Sequence, residues 1–242
     1  MKNSRSSEDR SAARSKTAST VLKTLVAVPI SLALMGALLF LPAGGLDWPN
    51  AWAWLAVLIL CLAINIAVLI PVNPEVIEER SRIGKGVKRW DIIVSSVMTM
   101  FVLGTVIVAG LDHRHGWSPR FSLGLLIAGG GLMLLGDLLL LWAMAVNKFF
   151  SKLVRIQRER GHHVVTTGPY RFVRHPGYVG WIVMWIGSTL IFGSLWAFVP
   201  TVLASTVVIV RTALEDKTLH EELAGYGEYA GRVRHKLVPG VW

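Results

Sequence analysis

Charged residues are scarce in this chain of 242 residues, at 17%, whereas 53% of the residues are hydrophobic. An average soluble domain carries about a quarter charged residues, so the composition excludes both an ordinary soluble globular protein and a disordered chain. Cysteine is almost absent, and the single Cys61 excludes an internal disulfide. Because Cys61 lies inside an apolar run, we interpret it as a small buried hydrophobic residue rather than as a reactive thiol.

Several familiar catalytic motifs are missing as well. The sequence contains no Walker A loop, no GxGxxG after a strand, no HExxH, no GxSxG and no paired cysteines. The loop at 147–181, which contains three histidines, has no His-x3-His spacing, so we expect no metal site. The formal net charge is +10, but in so apolar a chain Lys and Arg serve membrane topology, and we expect no nucleic-acid partner.

Long apolar runs are present instead, and they predict an all-α fold, a polytopic integral membrane helical bundle with about six spans. A span needs about 20 apolar residues, and the runs at 21–41, 51–72, 92–111 and 121–146 provide four. The last run, 177–210, is too long for one span. Its middle contains the turn signal Phe192-Gly193-Ser194, so we predict a hairpin of two helices of about 16 residues each.

The basic residues predict how these spans are oriented. Almost all of the 25 Lys and Arg residues lie in alternate segments between the spans, which is the distribution expected of six helices with both termini cytoplasmic. Residues 1–20 are rich in Ser, Arg and Lys, and we predict that they form a disordered basic cytoplasmic tail. The domain prediction is therefore this tail, four N-terminal membrane helices in 21–146, and a C-terminal region in 147–242.

Polar residues in apolar surroundings mark candidate sites. Asp137 lies in the middle of a predicted span, where an ionisable side chain is costly unless it is paired or solvated. It is a candidate functional residue, but a structural partner in a neighbouring helix, such as Asn65, accounts for it equally well.

The loop from Asn147 to Trp181 is the second candidate. It concentrates His162, His163, Tyr170 and His175 among turn-forming residues. Pro176 removes the preceding residue from the helical region, so the segment cannot be one continuous helix. A basic loop on anionic headgroups explains its arginines, but it does not explain the histidines and the tyrosine.

The end of the last apolar run is the third candidate. Arg211 and Glu215 are four residues apart and share one helix face. Either they form an ordinary ion pair, or the hairpin returns them to the membrane face that carries His175. The tail that follows balances acids and bases around Tyr226 and Tyr229, and it forms either a cap against the loop or an interfacial anchor helix.

The stretch from His162 to Tyr178 reads H-H-V-V-T-T-G-P-Y-R-F-V-R-H-P-G-Y and is followed by Val-Gly-Trp. It resembles the isoprenylcysteine carboxyl methyltransferase and phospholipid methyltransferase superfamily, whose motif is H-x-[LV]-V-T-x-G-x-Y…R-H-P-x-Y-x-G. The superfamily's R-T-x-x-E and Y-x-E-Y-x-x-R-V segments correspond to 211–215 and 226–233. The resemblance covers about the last 95 residues, from Asn147 onward, and the first four spans match only in hydropathy.

The resemblance implies an integral membrane methyltransferase that uses S-adenosylmethionine, held by the loop and the cap on the cytoplasmic side. It implies that Arg211 and Glu215 are catalytic and that Arg211 lies on the substrate side. The implied cofactor-binding residues are Gln157, His162, His163, Val164, Val165, Tyr170, His175, Pro176, Gly177, Tyr178 and Glu215. The spacing ahead of His162 and of Tyr226 is shorter than in relatives, and Asp216 replaces a commoner glutamate, so the shape of the cap is expected to differ.

The sequence does not identify the methyl acceptor. The resemblance implies a lipophilic or lipidated acceptor that enters from the membrane lipids, with an isoprenylcysteine carboxylate as the leading candidate. Phospholipid amines and small thiols are the alternatives within the superfamily. A nicotinamide-dependent sterol reductase and a non-catalytic scaffold or transporter are the alternatives outside it, and the motif favours neither.

Overall fold

The computed structural model describes residues 29–80 and 84–242, and its secondary structure there is entirely helical. Internal packing divides the chain after Leu38, so that Leu39–Trp242 forms one unit and 29–38 is the described part of another. The α-helices are α1 (Pro29–Ala43), α2 (Pro49–Val72), α3 (Pro74–Arg80), α4 (Arg89–His115), α5 (Leu123–Val146), α6 (Pro176–Phe192), α7 (Phe198–Glu222) and α8 (Tyr226–Arg232). Two short 3₁₀ turns, Arg158–Arg160 and Gly168–Arg171, lie in the loop before α6.

Each of the six predicted spans overlaps a helix in the described part of the chain. Helices α2, α4, α5 and α7 are long and apolar enough to cross a membrane, whereas α1 and α6 are shorter. Residues 1–28 lie outside the described part of the chain, and with them the predicted tail and the start of the first run. The short helix α3 was not predicted, because four of its seven residues are charged and its apolar positions are too few to show a period.

The predicted hairpin is confirmed. Helix α6 ends at Phe192, and Gly193 follows with φ of 70°, a left-handed conformation that glycine adopts without strain. The turn is held by the buried carboxylate of Asp112 at the end of α4, which accepts hydrogen bonds from the hydroxyls of Ser118 (2.5 Å) and Ser194. Helix α7 then runs 12 residues past the predicted end of its apolar run, as far as Glu222.

Glycines let the backbones of α5 and α6 approach closely. A β-carbon on Gly187 would lie 2.6 Å from the carbonyl oxygen of Gly129, and one on Gly136 would lie 2.5 Å from that of Gly180. The glycines lie seven residues apart on each helix, and therefore on one face. Small residues drive helix association in lipid because they allow dense packing where no hydrophobic effect operates between helices.

The mid-helix carboxylate of Asp137 has a structural partner. The side-chain amide of Asn65 on α2 donates a 2.8 Å hydrogen bond to it, and the same amide nitrogen donates to the carbonyl of Cys61. Asp137 therefore has a structural partner in a neighbouring helix, and that partner is Asn65, as the sequence suggested.

The glycine contact generates the first prediction. Gly136→Ala should lower the free energy of unfolding by about 1–3 kcal/mol, because the new methyl group overpacks the contact with α6. Gly131→Ala, on an exposed face of the same helix with no atom within 4 Å of the added carbon, is the matched control and should be neutral or slightly stabilising. Thermal unfolding of the detergent-purified variants measures the difference. Equal unfolding temperatures would contradict the close packing.

Candidate active site

A cavity of about 290 Å³ lies where the base of the α6–α7 hairpin meets the loop before α6 and the C-terminal segment. Its walls come from α3, α4, α5, the loop, both hairpin helices and the cap. They combine aromatic rings, aliphatic side chains and charged groups, which is the usual composition of a small-molecule site.

The hairpin base brings together the two polar segments that the sequence pointed to. Tyr178, in the first turn of α6, donates a hydrogen bond from its hydroxyl to Glu215 on α7. The guanidinium of Arg211 lies over the Tyr178 ring, 5.3 Å from its centroid. A single straight helix in place of the hairpin would hold these groups roughly 50 Å apart. Glu215, Arg211 and Tyr178 all line the cavity.

Arg211 does not form its ion pair with Glu215, four residues on. Its guanidinium binds the carboxylate of Asp91 through two hydrogen bonds of 2.6 and 2.9 Å, and it also donates to the carbonyl of Lys152. Asp91 is fully buried in the first turn of α4 and accepts a further 2.6 Å bond from the backbone of Val154. Arg211 thus pairs with a residue 120 positions earlier in the chain, and not with Glu215 as the ordinary ion-pair alternative would have it.

Asp216 joins the hairpin to the loop and to the cap. Its buried carboxylate accepts from Arg174 at 2.7 and 3.1 Å and from the hydroxyl of Tyr226 at 2.8 Å, and it lies 3.3 Å from the ring of His175. Arg174 also donates to two carbonyls of the C-terminal segment at 2.8 Å. The tail is therefore a cap packed on the loop, as one of the two alternatives predicted, and Tyr229 extends the contact with a 2.6 Å bond to the carbonyl of Tyr170.

The loop itself is built around Gln157 and Phe149. The fully buried amide of Gln157 donates to the carbonyl of Phe149 at 2.7 Å and accepts from Arg160. The backbone N–H of Gln157 donates to Nδ1 of His162, whose ring stacks at 4.4 Å from that of Phe149. Because Nδ1 accepts, the neutral ring carries its proton on Nε2. Burial lowers the pKa of His162 to about 4, and the charge of His163 acts in the same direction.

Glycine at position 177 admits an aromatic wall. A β-carbon there would lie 2.7 Å from the ring of Phe150, so any larger residue would push that ring out of the cavity wall. In this chain the preference for glycine at position 177, which the motif leaves open, is therefore one of space.

Ten of the twelve residues named from the sequence line the cavity: His162, His163, Val164, Val165, Tyr170, His175, Gly177, Tyr178, Arg211 and Glu215. The other two lie behind the wall. Gln157 lies behind Phe149 and His162 and is hydrogen-bonded to the Phe149 carbonyl, and Pro176 is the first residue of α6. Their positions are those of supporting residues.

Several wall and support residues were not found from the sequence. Asp91 looked like an ordinary acid at a helix start, and Arg80 lies on the unpredicted helix α3. Both depend on contacts across the fold that no local pattern signals. Asp216 is the exception, because it directly follows the R-T-x-x-E segment and could be singled out from the sequence for that reason.

Comparison with known proteins agrees with this geometry. Residues 129–221 match the model of the isoprenylcysteine carboxyl methyltransferase (ICMT) family. The predicted family resemblance is confirmed. The ICMT match includes the loop, the hairpin and both Arg211 and Glu215, and it begins in the middle of α5.

Individual relatives carry related names. Protein-S-isoprenylcysteine O-methyltransferase B of Arabidopsis thaliana is 29% identical over 136 residues, which cover 55% of this chain and 65% of that protein. Protein-S-isoprenylcysteine O-methyltransferase of Schizosaccharomyces pombe is 38% identical over 79 residues, or 32% of each chain. The chain therefore spans between a third and two thirds of these relatives' length.

The fold has a solved counterpart. The structure of the eukaryotic intramembrane Ras methyltransferase ICMT aligns with a TM-score of 0.53 over 86% of this chain and 75% of that one, at 22% identity. With the four apolar helices, this establishes an ICMT-like integral membrane fold.

The buried Asp91–Arg211 pair generates the second prediction. Asp91→Asn should lower the free energy of unfolding by about 3–5 kcal/mol, because it leaves a buried guanidinium without its counter-ion. Glu75→Gln is the control. The Glu75 side chain is 61% exposed in its ion pair with Arg160, so loss of this pair should lower the free energy of unfolding by less than about 1 kcal/mol. Adding Arg211→Gln to Asp91→Asn should recover part of the loss in a thermal unfolding experiment. Similar losses for Asp91→Asn and Glu75→Gln would contradict the assignment.

The third prediction concerns His162. Its pKa of about 4 lies below the ordinary value of about 6.5, so between these values the unfolded chain binds more protons than the folded one. The free energy of unfolding should therefore fall as the pH is lowered from about 6.5 to 4, by at most about 3 kcal/mol. Denaturation at several pH values should show a shallower fall for His162→Gln than for the parent protein. An unchanged pH dependence would show that His162 is not buried as a neutral ring.

Proposed function

We propose that this protein is an integral membrane methyltransferase that uses S-adenosylmethionine to methylate the carboxylate of a lipophilic acceptor of the isoprenylcysteine type. The observation that carries the proposal is the hairpin base, where Tyr178, Arg211 and Glu215 meet the loop and the cap around one cavity. The names of the relatives support the acceptor class.

The cavity suits the charges and the rings of S-adenosylmethionine. A sulfonium and an ammonium require a carboxylate and aromatic faces, and the walls present Glu215 with Phe149, Tyr170, Tyr226 and Tyr229. Carboxylate and ribose oxygens require donors, and His162 offers Nε2. When bound, the cofactor supplies an electrophilic methyl group on a cationic sulfur. Glu215 and the residues named from the loop would hold it.

The chain's own groups can orient the reactants without acid–base chemistry. The Tyr178 hydroxyl donates to Glu215, which fixes the direction of that carboxylate. Arg211 is fixed by Asp91 and lies over the same tyrosine. An acceptor carboxylate arrives already ionised, so it needs a cation to orient it rather than a base, whereas an amine acceptor would need a group to take its proton. The arginine-rich wall favours the carboxylate.

The cap and the membrane helices give the cavity two different sides. On one side, Tyr226 and Tyr229 of α8 contribute wall from the cap, and exclusion of water by the cap would strengthen the electrostatic interactions inside the cavity. On the other side, Met98 of α4, Leu140 of α5 and Trp181 of α6 contribute apolar wall from membrane helices. We propose that a lipophilic acceptor enters on this side, and that both termini and the cap face the cytoplasm.

The fourth prediction is selective nucleotide binding. Calorimetry on the detergent-purified protein should detect binding of S-adenosylmethionine and S-adenosylhomocysteine but not of NADPH. Absence of heat with both sulfur nucleosides would refute the proposal, and binding of NADPH would favour the reductase alternative. In the same experiment, Glu215→Gln should weaken S-adenosylmethionine binding by about tenfold or more.

Glu221→Gln is the matched control for Glu215→Gln. Glu221 lies six residues further along α7, is exposed, and pairs only loosely with Lys217 at 3.8 Å. It should leave the affinity unchanged. Equal affinities for the two variants would remove Glu215 from the cofactor site.

A further inference from the structure

Five Lys and Arg side chains line the cavity, and most of them are already neutralised or in water. Arg155 is bound by Glu79, Arg174 by Asp216 and Arg211 by Asp91, all at 2.6–2.8 Å. Lys152 is exposed to solvent. Arg80 is different, because it is half-buried and no carboxylate among residues 29–80 and 84–242 lies within ion-pair distance of it.

The position of Arg80 is set by an aromatic ring. Its guanidinium lies over Phe150, 5.4 Å from the ring centroid. Phe150 is in turn held against Gly177, where a β-carbon would lie only 2.7 Å from the ring. The small residue Gly177 therefore leaves room for Phe150, which places a guanidinium from α3 beside the hairpin base.

Arg80 and Arg211 carry like charges into the same cavity. Burial lowers the pKa of Arg80, and the charge of Arg211 adds to the effect. The hydrogen bonds of the Asp91 carboxylate are made to Arg211 and to the backbone, and none is made to Arg80. A half-buried positive charge without a counter-ion is unfavourable in the empty cavity and becomes favourable when an anion enters.

We propose that Arg80 binds the carboxylate of the methyl acceptor, while Arg211 is held by Asp91 as an orienting group. This rests on the proposed function and adds a substrate-binding residue outside the motif that the sequence pointed to. A guanidinium can bind a carboxylate through two parallel N–H···O bonds, which fixes the direction of the acceptor oxygens as well as their position.

S-adenosylmethionine also carries a carboxylate that Arg80 could bind. Two observations favour the carboxylate of the acceptor instead. Arg80 lies outside residues 129–221, the segment that holds the cofactor residues named from the sequence. Phe150 packs against an apolar cluster of α2, α3 and α5, as does Leu140 of the apolar side of the cavity, and it also packs against the cluster that contains Tyr170 and Tyr226. Arg80 therefore lies between the cap and the apolar side, where the carboxylate of an acceptor from the membrane would meet the cofactor.

The test compares two acceptor probes on the purified full chain saturated with S-adenosylhomocysteine. The probes are N-acetyl-S-farnesylcysteine and its carboxamide, which lacks the negative charge. Arg80→Gln should weaken binding of the carboxylate probe by about tenfold or more, and leave binding of the carboxamide unchanged. Affinity for S-adenosylhomocysteine should also be unchanged, and Arg80→Lys should recover part of the carboxylate affinity.

Arg171→Gln is the matched control, because Arg171 also lies over a phenylalanine ring, 5.0 Å from that of Phe172, but is exposed and outside the cavity. It should change no affinity.

Three results would overturn the proposal. These are unchanged carboxylate affinity in Arg80→Gln, an equal loss for both probes, or a loss of S-adenosylhomocysteine affinity, which would assign Arg80 to the cofactor carboxylate. If the parent protein bound neither the nucleoside nor the farnesyl probe, the proposed function itself would fail, and this proposal with it.

Discussion

The reversal of the chain at Gly193 is the constraint on which the site depends. It turns one apolar run into two antiparallel helices and so returns Arg211 and Glu215 to the end of α6 that carries Tyr178. The reversal is held from a distance, by the Asp112 carboxylate. Close glycine contacts between α5 and α6 then leave little freedom for the hairpin to slide. Rigid helices and a fixed turn are what a site needs if it works by aligning two reactants.

Charge compensation connects the site to the rest of the molecule. The cations of the hairpin base and the loop take their counter-ions from other elements: Arg211 from the start of α4, Arg155 from α3 and Arg174 from α7. Such buried pairs add little net stability over apolar contacts, but breaking one is costly, so they specify which segments pack together. Arg80 differs from these cations, because it has no ion-pair partner in the described part of the chain, and this difference is the reason for assigning it a ligand.

The sequence predicted the parts of this account that depend on local chemistry. Hydropathy located a helix in each apolar run, the glycine turn split the last one, and the motif from His162 to Tyr178 named residues that line the cavity. It did not predict what depends on contacts across the fold. Asp91 pairs with a residue 120 positions away, and helix α3 is too short and too charged to show an apolar period. The extension of α7 beyond its apolar run was missed because its outer turns are polar.

The central claim is that the cavity at the hairpin base joins a methyl donor to a lipophilic carboxylate. The most direct measurement is transfer of a labelled methyl group from S-adenosylmethionine to N-acetyl-S-farnesylcysteine by the purified protein. A methyl ester releases its label in mild base, whereas a methyl group on an amine or a thioether does not. The account predicts base-labile label on the farnesylcysteine. Base-stable label on an amine lipid or a small thiol, with no ester formed, would contradict it.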